Sequence, residues 1–259
     1  SAASDVYKRQ EQMKQDFYHF EGNAQALRLV SKLHFLVDEN GMNLTYALLN
    51  TIIKYPVAST KIHPESGDIR EKKMGYYYAD RELFEDIVSE TGAGNHRHPL
   101  TFILEAADDI AYKTADIEDA FVKRFLTYHS LRDELRKLQN REKKYVDPEE
   151  KDQNWFCPAD KLVELYDRAK KNGVDDPGDY AVKNWIVKAQ GFLIGCATSG
   201  FTSHYEEIME GTYKKDLFAG TLAEGLVKLL GEIACKCVFK TETIYRCLLY
   251  TSDAADDLT

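Results

Sequence analysis

The chain has 259 residues, of which 30% are charged, and its formal net charge at pH 7 is −9. This length accommodates one large domain or two small ones. The acidic balance argues against a protein that binds nucleic acid nonspecifically, although a local basic patch could still bind nucleic acid as a regulator. No apolar run approaches the length of a membrane span, so a membrane partner is not expected.

The five cysteines are an odd number and are scattered through the second half of the chain: Cys157, Cys196, Cys235, Cys237 and Cys247. No CxxC pair occurs among them, which argues against a structural zinc site. The pattern therefore predicts free thiols in a reducing cytoplasm. The first residues show no signal-peptide pattern.

Both ends of the chain differ in character from the rest. Residues 1–10 and 248–259 resemble translated sequencing-adapter read-through, and the chain has no initiating Met. We therefore expect both ends to be non-native and the chain to be a gene fragment truncated on both sides. The fold is predicted from the residues between them.

Three helices are predicted in the first part of the chain. Residues 21–37 carry apolar side chains at helical spacing. A second helix is predicted over residues 43–55, because the residue before Pro56 disfavours helical backbone angles. Asp80 is the predicted N-cap of a third helix over residues 81–91.

Residues 98–121 are predicted to form the long helix around which the rest of the chain is organised. Pro99 suits the first helical turn, where a missing N–H is harmless. Apolar or weakly polar side chains recur at the helical period on the face that we expect to be buried. They are Leu100, Ile103, Leu104, Ala107, Ile110, Ala111, Thr114, Ile117 and Phe121.

A polar line of Asp108, Tyr112 and Asp116 runs along the same helix at four-residue steps, which places the three side chains on one side. Asp108 is expected at the edge of the buried face, where a carboxylate is costly unless a metal, a cation or several donors meet it. Two interpretations are open: a solvated acidic edge of an amphipathic helix, and part of a functional site.

The second half of the chain is also predicted to be helical. Residues 131–145 carry dense charges of alternating sign, which is typical of a solvated helix or a connector. Asp160 is the predicted N-cap of a helix over residues 161–171. Further helices are predicted over residues 180–200, 202–209, 221–231 and 232–247, with residues 233–239 as the one segment that could instead form a strand. The sequence thus predicts an all-α fold.

Three segments, in this order along the chain, resemble motifs of one enzyme family. They are residues 20–28 (Phe-Glu-Gly-Asn-Ala-Gln-Ala-Leu-Arg), residues 53–56 (Ile-Lys-Tyr-Pro) and residues 105–120, which begin Glu-Ala-Ala-Asp-Asp-Ile-Ala-Tyr. All three are similar to segments of bacterial deoxyguanosine triphosphate triphosphohydrolases, which belong to the HD-domain phosphohydrolases.

The resemblance implies a helical, HD-domain-like fold and a division of the chain. Residues 11–130 would form the C-terminal part of the HD phosphohydrolase core, residues 131–158 a charged connector, and residues 159–247 the helical phosphohydrolase-associated region. It also implies that the complete protein, as a homo-oligomer, hydrolyses dGTP or other deoxynucleoside triphosphates to deoxynucleoside and triphosphate in a metal-dependent reaction.

HD phosphohydrolases hold a divalent cation with two histidines and two aspartates. The reaction needs this cation because it activates water and polarises a phosphoryl oxygen. This sequence contains no His-Asp dipeptide, and only Asp108 matches a ligand position of the family. Its neighbour Asp109 is rotated by about 100° on a helix. The other ligands and the catalytic residues are expected upstream, so we expect the chain alone to be inactive. Oxygen and imidazole ligands would suit Mg, Mn or Co.

Two histidines, His96 and His98, precede the central helix and could bind a metal. Without further partners at ligand spacing, an ordinary turn is the simpler interpretation of this segment.

Seven residues match family positions that contact the substrate. Lys54 would place a positive charge on the triphosphate, and Tyr55 would stack on or hydrogen-bond the sugar. The predicted set is Lys54, Tyr55, Tyr112, Asp116, Asn23, Gln25 and Arg28. A solvated helix end for Lys54, and ordinary polar helix positions for Gln25 and Arg28, are the alternatives.

Other functions are also compatible with the sequence. The main alternative is a noncatalytic helical module of HD ancestry that binds a nucleotide or a partner protein. An HD relative that acts on another phosphate substrate is a third hypothesis. Base preference depends on the shape of the pocket, so the sequence does not predict it.

Overall fold

The computed structural model describes residues 2–34, 40–142 and 156–239. It is 71% helical, and no strand occurs in the described residues. The predicted all-α fold class is therefore confirmed, and it is consistent with an HD-like helical fold. The α-helices are α1 (Ala2–Tyr18), α2 (Gly22–Arg28), α3 (Tyr46–Ile52), α4 (Arg81–Thr91), α5 (Pro99–Val122), α6 (Tyr128–Arg141), α7 (Pro158–Lys171), α8 (Pro177–Ser203), α9 (Tyr205–Met209) and α10 (Glu224–Ala234).

The chain divides into two compact units. Unit 1 comprises Ser1–Ala106 and Phe201–Leu217, and unit 2 comprises Ala107–Gly200 and Phe218–Thr259. A hydrophobic core cluster of unit 1 is formed by α2, α3 and α4. It consists of Leu27, Leu49, Ile53, Phe84 and Ile87.

The helix α1 is tied to the rest of unit 1 through Asp16. One carboxylate oxygen of Asp16 accepts a hydrogen bond from the Ser59 hydroxyl at 2.6 Å, and the other accepts one from the Tyr78 N–H at 2.7 Å. Burial raises the pKa of Asp16 in spite of these two bonds. Residues 2–10 continue the same helix, and their non-native origin stays a prediction.

Two predicted helices of unit 1 are shorter than expected. After α2 the backbone continues as a π-helical turn, Leu29–Leu33, and residues 35–39 lie outside the described residues. The helix predicted over residues 43–55 is α3, which begins later because the Thr45 hydroxyl caps it by accepting the Leu48 N–H. It ends at Ile52, since Ile53 already has extended backbone angles.

The prediction that Asp80 caps the third helix is wrong in its detail. The helix α4 does follow Asp80, but the Asp80 side chain makes no capping bond. Its buried carboxylate instead accepts hydrogen bonds from Arg28 at 3.0 and 3.1 Å and pairs with Lys32 at 2.9 Å. Two cations compete better for a buried carboxylate than a helix N–H does.

The central helix α5 confirms the predicted element, and its buried face agrees with the predicted one at Ile110, Thr114, Ile117 and Phe121 but not elsewhere. Leu100, Ile103 and Leu104 are 52%, 45% and 37% exposed, and Ala107 and Ala111 are also exposed. The buried side chains are Thr101, Phe102, Ala106, Ile110, Thr114, Ile117, Ala120 and Phe121. Both buried threonines donate to main-chain carbonyls, Thr101 to Thr51 and Thr114 to Ile110, so their hydroxyl groups can be buried at little cost. Asp108 therefore lies on the exposed side of α5.

His98 caps the N-terminus of α5. Its Nδ1 atom accepts the Leu100 N–H at 3.2 Å, and its carbonyl accepts the Thr101 N–H at 2.8 Å. Burial lowers the pKa of His98, which favours the neutral ring that this cap requires.

We expect His98→Ala to lower the free energy of unfolding by about 1 kcal/mol and His98→Asn to preserve it, because asparagine is a good N-cap. Since the pKa is lowered on folding, this contribution is present above pH 6.5, the ordinary value, and is lost as the pH falls below it. Urea unfolding at several pH values measures both effects. Equal pH dependence in the wild type and in His98→Ala would contradict the assignment.

Unit 2 is built from α6, α7, α8 and α10 together with the later part of α5. The Trp185 side chain is fully buried, and its indole N–H donates to the Pro158 carbonyl at 2.8 Å. Phe156 stacks on Phe192 with ring centroids 5.0 Å apart. The Gln190 amide donates to the Thr114 hydroxyl at 2.9 Å, which joins α8 to α5 within the unit.

The first part of the predicted charged connector is a packed helix. Leu131, Leu135 and Leu138 of α6 are buried, although charged residues surround them in the sequence. They recur at three- and four-residue steps, so one apolar stripe suffices to pack a helix that is polar elsewhere. Residues 143–155, the rest of this segment, lie outside the described residues.

One local prediction in unit 2 is wrong, and one open alternative is decided in favour of the predicted helix. Asp160 does not cap α7, which begins two residues earlier at Pro158; the Asp160 carboxylate accepts hydrogen bonds from Gln139 and Cys157. Residues 233–239 form no strand, because α10 runs to Ala234 and continues as a π-helical turn, Cys235–Phe239. Residues 248–259 lie outside the described residues.

Four of the five cysteines lie in described residues, and all four are free thiols, as predicted. Burial and the nearby Asp160 carboxylate raise the pKa of Cys157 to about 12, which keeps this thiol protonated. Cys247 lies outside the described residues. None of the helices in the described part of the chain combines the length and the apolar character needed to cross a membrane.

Candidate functional site

Unit 1 contains a cavity of about 750 Å³ beside α1. This volume is within the range of roughly 300–1,000 Å³ typical of small-molecule sites. Its wall combines basic, acidic, aromatic and hydroxyl side chains. It is formed by Glu11, Gln15, Tyr18, His19, Phe20, Glu21, Ser59, Thr60, Ile62, Pro64, Lys72, Lys73 and Met74.

A network around Glu21 forms one side of this cavity. The Glu21 carboxylate pairs with Lys73 at 2.8 Å and accepts a hydrogen bond from the Asn23 amide at 2.6 Å. Burial opposes ionisation of Glu21, but the bonds from Lys73 and Asn23 outweigh it and hold its pKa below the ordinary value. Asn23, a predicted substrate contact, therefore orients a carboxylate on the cavity wall.

A second cavity in unit 1, of about 340 Å³, brings together Gln25 and Arg28 as the sequence predicts. Aromatic side chains dominate the rest of its wall. Its lining is Met13, Asp16, Phe17, Phe20, Gln25, Arg28, Tyr77, Tyr78 and Ala79. Because the Arg28 guanidinium already pairs with Asp80, its first role in this structure is to neutralise a buried carboxylate.

Lys54 and Tyr55 follow α3 in unit 1. The Tyr55 side chain is buried, with 6% of its surface exposed, and Lys54 is half-buried. The Arg97 guanidinium lies over the Tyr55 ring, 5.7 Å from its centroid. The structure thus places Tyr55 largely inside the protein, whereas the sequence suggests an open nucleotide contact.

Asp108, Tyr112 and Asp116 occupy one side of α5 in unit 2, at the predicted four-residue steps. Asp108 is exposed, and Tyr112 has 66% of its surface exposed. Asp116 is half-buried, and burial together with the Asp119 charge raises its pKa. The neighbouring Asp109 pairs with Lys113 at 2.5 Å.

The described residues do not form a complete metal site. Among them, no group of three or more His, Cys, Asp or Glu side chains is arranged to hold a metal ion. His96 and His98 have other contacts: Arg70 lies 3.0 Å from the His96 Nδ1, and His98 caps α5. The assignment of Asp108 as a metal ligand therefore stays a prediction.

The ion pair of Arg97 and Glu105 was not predicted from the sequence, and the Arg97 side chain in it has no exposed surface. The guanidinium binds the Glu105 carboxylate at 2.6 Å and also reaches the Lys54 carbonyl. The one local signal for Arg97 is its position two residues before the proline that begins α5.

Comparison with known proteins identifies relatives along most of the chain. A deoxyguanosinetriphosphate triphosphohydrolase-like protein of Listeria monocytogenes is 38% identical over 234 residues, which are 90% of this chain and 47% of that protein. The deoxyguanosinetriphosphate triphosphohydrolase of Serratia proteamaculans is 31% identical over 240 residues, 91% of this chain and 45% of that protein. That of Yersinia enterocolitica is 44% identical over 126 residues, 48% of this chain and 24% of that protein.

The chain spans about half the length of the curated relatives that it matches along most of its own length. No family model matches it. The similarity nevertheless extends over nine-tenths of the chain. Over the stretch that it shares with these relatives, the chain is a homologue of deoxyguanosinetriphosphate triphosphohydrolases and deoxyguanosinetriphosphate triphosphohydrolase-like proteins.

Proposed function

We propose that the protein hydrolyses dGTP, and other deoxynucleoside triphosphates, to deoxynucleoside and triphosphate. The observation that carries the proposal is the 38% identity over 90% of the chain to a triphosphohydrolase-like protein. In the proposed reaction water attacks the α-phosphorus, the bond from phosphorus to the sugar O5′ breaks, and the leaving O5′ takes up a proton.

The proposed substrate carries several negative charges, so its site must supply cations and hydrogen-bond donors. In unit 1, Lys72 and Lys73 line the 750 Å³ cavity together with the hydroxyl group of Thr60. We propose that these groups, with Lys54, bind the triphosphate. Gln25 lies in the adjacent aromatic cavity, where an amide can hydrogen-bond a base while aromatic rings stack on it.

We further propose that Asp108 is one ligand of a divalent cation (Mg, Mn or Co), with Tyr112 and Asp116 beside the sugar. Such a cation, when bound, would activate water and polarise the phosphoryl oxygen. Because the described residues do not supply a full ligand set, we derive no step of the reaction through the cation.

A noncatalytic nucleotide-binding module is the second candidate. It is favoured by the fact that both cavities lie wholly within unit 1. The larger one carries lysine, amide and aromatic side chains, and the smaller one carries arginine, amide and aromatic side chains. Such a site could bind a nucleotide without Asp108, which belongs to unit 2.

We also propose a cytoplasmic location, as the free cysteines suggest, and assembly as a homo-oligomer. Val187 and Ile194, seven residues apart on α8, are 64% and 57% exposed. A seven-residue step returns to the same side of a helix, so these side chains form an exposed apolar strip suited to a second copy of the chain.

Product analysis tests the proposed function. The protein expressed from its full reading frame is incubated with each deoxynucleoside triphosphate, with GTP, and with Mg, Mn or Co. Anion-exchange chromatography then separates triphosphate, pyrophosphate and phosphate. We expect triphosphate and deoxynucleoside as the products, with dGTP turned over faster than GTP. Saturable binding of dGTP without any product would instead support the binding module.

A further inference from the structure

A buried arginine anchors the segment that carries Lys54 and Tyr55. The Arg97 side chain has no exposed surface, although it lies in the turn just before α5. Its guanidinium makes a two-pronged ion pair with the Glu105 carboxylate, with nitrogen–oxygen distances of 2.6 and 3.2 Å. A charge can be buried in this way only when it is paired and its donors are satisfied.

The remaining side of the guanidinium faces the Lys54–Tyr55 main chain. Arg97 Nε donates a hydrogen bond to the Lys54 carbonyl at 2.6 Å. The guanidinium carbon also lies 5.7 Å from the Tyr55 ring centroid and 5.3 Å from that of Phe102. One side chain therefore contacts both residues of the segment. Lysine could not replace it, because an ammonium group lacks the planar fork that satisfies three acceptors at once.

A second main-chain contact holds the same segment. The Gly75 N–H donates to the Val57 carbonyl at 3.0 Å, and a Cβ atom at position 75 would overlap the Tyr55 carbonyl group. Ile53, the residue before Lys54, is part of the hydrophobic core cluster of unit 1. The segment of residues 53–57 is thus held on both sides of Lys54, and Arg97 binds the Lys54 main chain itself.

We propose that the Arg97–Glu105 pair is a positioning device that sets the place of Lys54 and Tyr55, and thereby the affinity for the triphosphate. This inference rests on the proposed function, in which Lys54 contacts the triphosphate. Arg97 is buried and is a positioning residue, not a catalytic one. Its replacement weakens substrate binding more than it slows the chemical step, so KM rises while kcat changes little.

Arg97→Lys tests the proposal, because it keeps the positive charge next to Glu105 but loses the fork. The matched control is Arg81→Lys in the exposed Arg81–Glu85 pair, in which Arg81 Nε lies 2.7 Å from Glu85 Oε1. In the protein expressed from its full reading frame, we expect Arg97→Lys to raise KM for dGTP about tenfold and to change kcat less than about threefold. Arg81→Lys should change neither constant. Equal KM values for the two variants would overturn the proposal.

Two further measurements keep the outcome decisive. Amide hydrogen exchange of residues 53–57 should be faster in Arg97→Lys than in Arg81→Lys; faster exchange with an unchanged KM means a purely structural pair and overturns the proposal. If the wild type binds dGTP without turnover, the proposed function fails, and Kd for dGTP replaces KM in the same comparison. If Arg97→Lys does not fold, Glu105→Gln takes its place with the same readouts, since it keeps the side-chain shape and weakens the pair.

Discussion

Asp108→Asn is expected to lower kcat/KM for dGTP by about 1,000-fold or more in the protein expressed from its full reading frame, a loss of about 4 kcal/mol of transition-state stabilisation. The reason is that an amide is a much poorer ligand for a divalent cation than a carboxylate. Because Asp108 lies on the exposed side of α5, the free energy of unfolding should change by less than about 0.5 kcal/mol. Steady-state kinetics and urea unfolding measure the two quantities.

The matched control for this prediction is Asp109→Asn. Asp109 is the next residue on α5, and its carboxylate pairs with Lys113 within the same helix. A pair of this kind contributes only about 0.3–0.5 kcal/mol, so we expect near-normal turnover and stability. If Asp109→Asn abolishes turnover and Asp108→Asn does not, the assignment of the ligand position is wrong.

The second large effect is expected at Asp80. Asp80→Ala should lower the free energy of unfolding by about 3 kcal/mol, because it leaves Arg28 and Lys32 without their carboxylate. The expected loss is at the lower end for a buried ion pair, since the Arg28 and Lys32 side chains are 32% and 40% exposed while that of Asp80 is 1% exposed. Urea unfolding monitored by circular dichroism measures the change.

Glu85→Ala in the exposed Arg81–Glu85 pair of α4 is the control for Asp80. It removes a nearby carboxylate whose charge is already screened by solvent, so we expect the free energy of unfolding to fall by less than about 0.5 kcal/mol. Similar losses for both variants would show that the Asp80 network contributes no more than a surface pair. Arg28 would then be available for the substrate role that the sequence suggested.

The fold class and most helices follow from local patterns in the sequence. Helical periodicity and Pro99 predicted α5 within one residue at each end. The buried face of α5 was predicted in part, since Ile110, Thr114, Ile117 and Phe121 are buried. In the first turns apolar residues occur on more than one side of the helix, and Leu100, Ile103 and Leu104 fit the helical period as well as Phe102 and Ala106 do. Only the tertiary structure decides between two such stripes.

The candidate site was predictable only in part, because its decisive contacts join residues far apart in the sequence. The motif residues Gln25 and Arg28 do share a cavity wall. The partner of Arg28 is Asp80, 52 residues away, and a single sequence contains no local signal for such a pair. The Arg97 contact with Lys54 spans 43 residues and involves a main-chain carbonyl, which every residue possesses.

Caps were mispredicted for a related reason. Asp80 and Asp160 both have a side chain suited to capping, but each carboxylate has stronger or closer partners elsewhere in the fold. His98 caps α5, although histidine is not among the usual capping residues. A local rule ranks the candidates for a cap, and the tertiary contacts then determine which of them is used.

The most direct test of the proposed reaction is hydrolysis of dGTP in water enriched in oxygen-18, followed by phosphorus NMR of the products. Attack of water at the α-phosphorus predicts that the label appears on a terminal phosphorus of the released triphosphate, and that deoxyguanosine carries none. Phosphate with dGDP, or pyrophosphate with dGMP, would show that a bond within the triphosphate breaks instead of the bond from the α-phosphorus to O5′, and would contradict the assignment of this protein as a triphosphohydrolase.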